Sequence, residues 1–152
     1  MSAVITEAMK AMRSEPARAV TLLRTALQQN PQNFEAALLL SEALRIAGDI
    51  TGARAIITPL AAANPQHFGA QRQLGVILAA NAAPVPSSIA LRAAAELNPV
   101  HPTIWRDLAD QLALAGDIIG SQTAYARHAA SQAMDPALAP AAERLRAGDH
   151  AG

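Results

Sequence analysis

Four histidines and one pair of carboxylates are the residues of this 152-residue chain whose types could carry chemistry. His67, His101, His128 and His150 invite a metal reading, because neutral imidazole is a common ligand, but three or four ligands must converge on one ion. Asp107 and Asp110 stand at i, i+3 and would share a helix face, as paired carboxylates for proton transfer would. The same stretch places Arg106 and Asp110 at i, i+4, the spacing of an ordinary surface ion pair, and that is the expected arrangement. Trp105, Tyr125, Phe34 and Phe68 could form a stacking surface for a ligand, but core packing is what is expected of them. The chain has no cysteine, so no thiolate and no disulfide framework. It has no Gly-x-Ser-x-Gly elbow, and its eight glycines are scattered, with no strand pattern before any of them to build a phosphate loop. Catalysis, a cofactor and a bound metal are therefore not expected of this chain.

The elements that must position these residues follow from a repeat. Asn30-Pro31, Asn64-Pro65 and Asn98-Pro99 recur every 34 residues, and Phe34/Phe68, His67/His101, Leu40/Leu74/Leu108 and Leu44/Leu78/Leu112 keep the same period. Within a unit the apolar residues have helical spacing, as in Ala37, Leu40, Leu44, Ala47 and then Ala53, Ile56, Ile57, Leu60. Two amphipathic helices per unit are predicted. Ala47-Gly48-Asp49 and Ala115-Gly116-Asp117 lie between them. The glycine can end one helix in the left-handed conformation, and the aspartate can cap the next. Each Asn-Pro pair stops the second helix, since proline disfavours helical geometry in the residue before it. "NAAPVPSS" departs from the Ala-Gly-Asp turn in the third unit, with Pro84 and Pro86 tolerated at a helix start, while Pro59 lies late in a helix and is expected to kink it. Histidines at equivalent points of neighbouring units lie about 8–10 Å or more apart, too far for shared ligation, and are read as exposed turn residues.

A helix pair on this period resembles the tetratricopeptide repeat family. Trp105, Leu108, Ala109, Leu112, Gly116, Asp117, Ser121 and Tyr125 stand where that family places its large, small and aromatic residues, with His128 at a site where it favours alanine. Leu74, Gly75, Leu78, Leu91, Ala94 and Pro99 match in the third unit, and Ala37, Leu40, Ser41, Leu44, Ala53, Ile57, Leu60 and Pro65 in the second. The first unit matches only in its second helix, through Ala19, Leu23, Ala26 and Pro31. Its first helix puts Thr6, Lys10 and Arg13 at apolar sites, so residues 2–13 are expected to be a modified cap. The fold class implied is all-α, a right-handed α-solenoid of about four helix pairs plus a C-terminal helix. The units run approximately over 1–32, 33–66, 67–100 and 101–135, with a partial fifth unit or capping helix over 136–149.

The resemblance also implies a concave groove, lined by the outward positions of each first helix. Carried over by position these are Glu35, Leu38, Glu42 and Arg45, then Gly69, Arg72, Gln73 and Val76, then Thr103, Arg106, Asp107 and Asp110. Arg72 and Arg106 fall where some members grip a peptide carboxylate, but the accompanying Asn and Lys are missing, and Glu42 and Asp110 would oppose an anion. Two readings stand: a peptide groove, or a solvated face whose partner contacts lie elsewhere.

The stretch from His101 to Asp149 is similar to the repeat region that precedes the catalytic domain in bacterial tetratricopeptide-repeat sulfotransferases, and "AGDITGARAIITPLAAANPQ" and "LRAAAELNPVHP" share that likeness. Aspartyl hydroxylase-like proteins carry comparable repeats. A third Ala-Gly-Asp at residues 147–149, with three residues after it, suggests the front part of a longer protein. A free-standing adaptor and a scaffold that self-associates through its terminal faces are the alternatives.

Composition narrows the partners. With 12 basic and 12 acidic residues the formal net charge is zero, which gives no basic surplus to hold a phosphate backbone, so nucleic acid is not expected. "MSAVITEAMKAMRSEP" does not read as a signal peptide, and no apolar run reaches the roughly 20 residues that span a bilayer. A cytoplasmic protein whose partner is another protein or a peptide is the expectation.

Overall fold

The computed structural model describes residues 3–133, and these form eight helices and no strand. They are α1 (Ala3–Ala11), α2 (Pro16–Gln29), α3 (Phe34–Ile46), α4 (Ile50–Ala63), α5 (Phe68–Ala80), α6 (Pro84–Leu97), α7 (Ile104–Leu114) and α8 (Ile118–Ala133). Each helix packs on the next, and α3 also touches α5 directly, so helix pairs stack into an α-solenoid in which the first helices α3 and α5 lie side by side. The expected helix over 136–149, the third Ala-Gly-Asp and His150 lie outside the described residues.

The turns explain why the helices stop where they do. Gly48 and Gly116 have φ of 90° and 88°, and at each the following N–H reaches back: Asp49 N donates to Leu44 O at 2.8 Å and Asp117 N to Leu112 O at 2.9 Å. This satisfies carbonyls that the helix end leaves open. The aspartates then cap α4 and α8, with Oδ1 accepting from Gly52 N at 2.8 Å and Gly120 N at 2.9 Å. The third unit makes the same backbone turn without glycine. Ala82 takes φ of 54° and Ala83 N donates to Leu78 O at 2.9 Å, so the divergent sequence costs strain in an L-residue and loses the side-chain cap but keeps the shape. Proline 59 lies inside α4, which continues to Ala63.

α1 departs from the repeat register. Its buried residues are Ile5, Ala8 and Ala11, with Met12 beyond its end, while Thr6 and Lys10, the positions the period would bury, are exposed. The buried side of α1 is therefore set by Ile5, Ala8 and Ala11 and not by the positions the 34-residue period carries over.

Two apolar clusters fill the interior. One runs through α1 to α5, from Ile5 through Leu23, Leu40 and Ile57 to Ile77; the other joins α6, α7 and α8 through Leu91, Ile104, Leu108 and Ala124. Four of the six buried polar residues among the described ones, Gln71, Gln73, Ser87 and Ser88, sit on α5 and α6. Gln71 Nε2 donates to Ala61 O at 3.1 Å and ties α5 to the end of α4, and Ser87 Oγ donates to Gly75 O at 2.7 Å. Thirty-four residues on, Ser121 Oγ does the same to Ala109 O at 2.9 Å. Buried hydroxyls are tolerated here because each finds a carbonyl.

Candidate functional site

The candidate site is the face made by α3, α5 and α7. Helical spacing puts Glu35, Leu38, Glu42 and Arg45 on one stripe of α3, and the 34-residue period puts Gly69, Arg72 and Val76 on the matching stripe of α5. Glu35 is exposed and Leu38, Glu42 and Arg45 are half-buried. Leu38 lies against Gly69, its Cδ2 3.5 Å from where a Cβ would stand, which closes the seam between α3 and α5. Arg72 is half-buried, while Gln73 is only 6% exposed and belongs to the wall of the face. On α7, Arg106 and Asp110 are exposed and Asp107 is half-buried.

The polar atoms on this face are unevenly satisfied. Arg45 Nε, Arg72 Nε and Gln73 Nε2 are buried with no hydrogen-bond partner among the described residues. A buried N–H without an acceptor costs free energy, more so when it is charged. Arg106 pairs with Asp107 at 3.8 Å, not with Asp110 as the i, i+4 spacing suggests, because Asp110 Oδ1 accepts a hydrogen bond from the hydroxyl of Tyr125 on α8. That hydrogen bond, reinforced by partial desolvation, holds the phenol above its ordinary pKa. Tyr125 is therefore 42% exposed and polar in its contacts, where the family resemblance implied a core aromatic. Phe34, Phe68 and Trp105 are half-buried, and Trp105 Nε1 donates to Pro99 O at 2.8 Å while the Arg127 guanidinium lies 4.7 Å from its ring centre.

The histidines do not assemble. Among the described residues no group of three or more His, Cys, Asp or Glu could hold a metal ion. His67 and His101 join successive units instead. The rings of Phe34 and His67 are 4.6 Å apart, and those of Phe68 and His101 are 5.2 Å apart. His67 Nδ1 also caps α5 by accepting from Ala70 N at 3.1 Å. His128 is not a turn residue: it sits within α8, its Nδ1 buried and unpartnered. Burial and the nearby Arg72 hold the His101 pKa below its ordinary value, against an opposing pull from Asp107. His101 thus sits between the opposing charges of Arg72 on α5 and Asp107 on α7; the groove positions carried over in the sequence included those two residues but not His101. The signal that could have found it was the shared period of Phe34/Phe68 and His67/His101.

Residues 11–78 match the profile of the tetratricopeptide repeat family. No curated protein is similar enough to match the chain. Among solved structures, MamA 41-end from Desulfovibrio magneticus RS-1 superposes with a TM-score of 0.80 at 16% identity, covering 88% of this chain and 76% of that one. A structure titled MamA RS-1 ArsTM double mutant gives 0.79 at 17% identity over 88% and 76%. A MamA AMB-1 structure gives 0.69 at 19% identity over 82% and 74%. At these identities the likeness establishes the fold.

Proposed function

We propose that this chain, which carries tetratricopeptide repeats across residues 11–78, is a non-catalytic protein-interaction module that binds a peptide segment along the face of α3, α5 and α7. The observation that carries the reading is the pair of half-buried arginines on that face, Arg45 and Arg72. Among the described residues neither has a carboxylate within ion-pair distance, and a ligand that supplies carbonyl or carboxylate oxygens can pair with them. Leu38 and Val76 between them offer apolar contact, and the mixed signs of Glu35, Glu42, Arg106, Asp107 and Asp110 favour a segment of alternating charge over a uniformly acidic tail. The test is a pull-down from lysate of the source cell with wild type, Arg72→Glu and Arg106→Glu. Arg72→Glu is expected to abolish capture of the specific partner and Arg106→Glu to weaken it; equal capture by all three rejects this face.

The wider setting is an assembly module at the front of a larger bacterial sulfotransferase-like protein, a reading that rests on the resemblance of residues 101–149. The intact mass of the protein expressed from its own gene tests it. A mass well above 15.8 kDa, with sulfotransferase activity in the full chain, supports it. A mass at that value favours a free-standing adaptor. Among the described residues no helix is long and apolar enough to cross a membrane. A cytoplasmic location with a protein partner, and no nucleic acid, is the setting proposed. Self-association through the terminal faces is the second arrangement, motivated by the exposure of Leu114, Ile118 and Ile119 near the end of the described solenoid. Light scattering at high concentration that shows only monomer removes it.

A further inference from the structure

One position of the 34-residue period stands at the entry to each of the first helices α3, α5 and α7, and it carries Asn33, His67 and His101. Asn33 Oδ1 accepts from Ala36 N at 3.1 Å, and His67 Nδ1 accepts from Ala70 N at 3.1 Å. The same helix cap is thus made with two chemistries. An amide oxygen accepts at any pH, whereas Nδ1 accepts only in the neutral ring that keeps its proton on Nε2. His101 repeats the pattern more loosely, with Nδ1 accepting from Thr103 N at 3.3 Å just ahead of α7.

The His67 ring also bridges the seam between the second and third units. The ring of Phe34 on α3 lies 4.6 Å from it, centre to centre. Gly69 leaves it room on α5: a Cβ there would stand 3.0 Å from His67 Cε1 and 3.5 Å from Leu38 Cδ2. One side chain therefore closes the first turn of α5 and touches α3. His67 is exposed, so protons from solvent reach it.

No anion waits to receive such a proton. The first turn of α5 has no acidic residue, and among the described residues no carboxylate lies within ion-pair distance of the ring. The charged groups around the seam are Glu35, next to Phe34 on α3, and Arg72, five residues along from His67. α4 has no charged residue after Arg54, and Glu96 of α6 lies toward Trp105 and α8. Where His101 has Arg72 and Asp107 as its charged neighbours, the period gives His67 the uncharged Leu38 and Gln73. A proton on Nδ1 turns the acceptor into a donor that faces the Ala70 N–H, and it sets a positive charge at the positive end of the α5 dipole.

We propose that His67 is a proton-operated latch between the second and third units: neutral, it caps α5 and holds it against α3; protonated, it releases the first turn of α5 and loosens the seam. The stability that this cap contributes is present above the imidazole range and is lost as pH falls through it. The latch acts on the helix that carries Arg72 and Val76, and it does not depend on what that face binds.

The test follows the full chain between pH 7.5 and 5.5 by thermal melting and by the amide proton resonance of Ala70, in wild type, His67→Asn and His67→Ala. Asparagine installs the non-titrating cap found at position 33, and alanine removes the cap at either pH. The position is exposed, so neither substitution disturbs the core. Wild type is expected to lose about 2 °C or more beyond the loss of either variant over this range. His67→Ala is expected to melt below wild type already at pH 7.5. The other histidines titrate in all three chains and cancel in the comparison. The Ala70 resonance is expected to move upfield as wild type is acidified and to hold its place in His67→Asn. A wild-type loss no larger than that of His67→Asn, a His67→Ala variant that melts with wild type at pH 7.5, or an Ala70 resonance that stays still in wild type overturns the proposal.

Discussion

Leu91 lies directly over the Cα of Gly75: a Cβ built on that glycine would stand 2.5 Å from Leu91 Cγ. Leu91 is itself 2% exposed and has nowhere to move. The contact locks α5 to α6 at the point where Ser87 also bonds the Gly75 carbonyl. Overpacking of this kind costs about 1–3 kcal/mol, against about 1 kcal/mol that alanine gains over glycine in a helix. Gly75→Ala is therefore expected to destabilise the chain, seen as a lower urea midpoint with an unchanged slope. A higher midpoint means that α6 shifts freely and the packing account is wrong.

Ala82 occupies the left-handed conformation that Gly48 and Gly116 occupy in the neighbouring turns. That conformation costs an L-residue about 1–2 kcal/mol, part of which a glycine returns as extra freedom in the unfolded chain. Ala82→Gly is expected to raise stability by about 0.5–1 kcal/mol, measured as a higher melting temperature. A fall indicates that the turn in the third unit differs from the other two.

The Asp49 and Asp117 carboxylates each accept a single backbone N–H at a helix start. Asp49→Ala is expected to cost about 1 kcal/mol, and the double variant with Asp117→Ala about twice that, since the sites are far apart. Chemical denaturation of the two single variants and the double variant checks both the size and the additivity.

His101 gives the junction of α5 and α7 a dependence on pH. Burial and Arg72 lower its folded-state pKa, with Asp107 partly opposing, so the unfolded chain binds this proton more readily. The stability associated with the neutral ring is present above the ordinary imidazole pKa and is lost as pH falls below it. Between pH 7.5 and 5.5 the wild type is expected to lose more melting temperature than His101→Gln. If the two lose the same amount, His101 does not titrate differently on folding.

Much of the architecture was legible in the residues because its signals are local. Asn-Pro ends the second helices at Asn30, Asn64 and Asn98, and Ala-Gly-Asp makes the turns before α4 and α8. The turn before α6 was harder to read, since Ala82 takes the strained conformation without advertising it by type. The register of α1 escaped because the helix turns Thr6 and Lys10 outward and buries Ile5, Ala8 and Ala11, positions that a fixed period does not reach. In the candidate site the positions on α3 and α5 were those the family resemblance implies, carried on helices that the 34-residue period made legible. The partners on it did not: Asp110 is taken by Tyr125, fifteen residues away on another helix, which leaves Arg106 to Asp107. Contacts between helices depend on packing angle and side-chain reach, and spacing along one helix is silent on both.

The central claim, that the face of α3, α5 and α7 is a protein-binding surface, is most directly tested by photo-crosslinking in the source cell. Benzoylphenylalanine is placed at Val76 on that face, and at Arg24, an exposed position of α2, as the control. The account predicts one discrete adduct of higher mass from position 76, lost when Arg72→Glu is added, and none from position 24. No discrete adduct from position 76, or one that persists unchanged with Arg72→Glu, contradicts it.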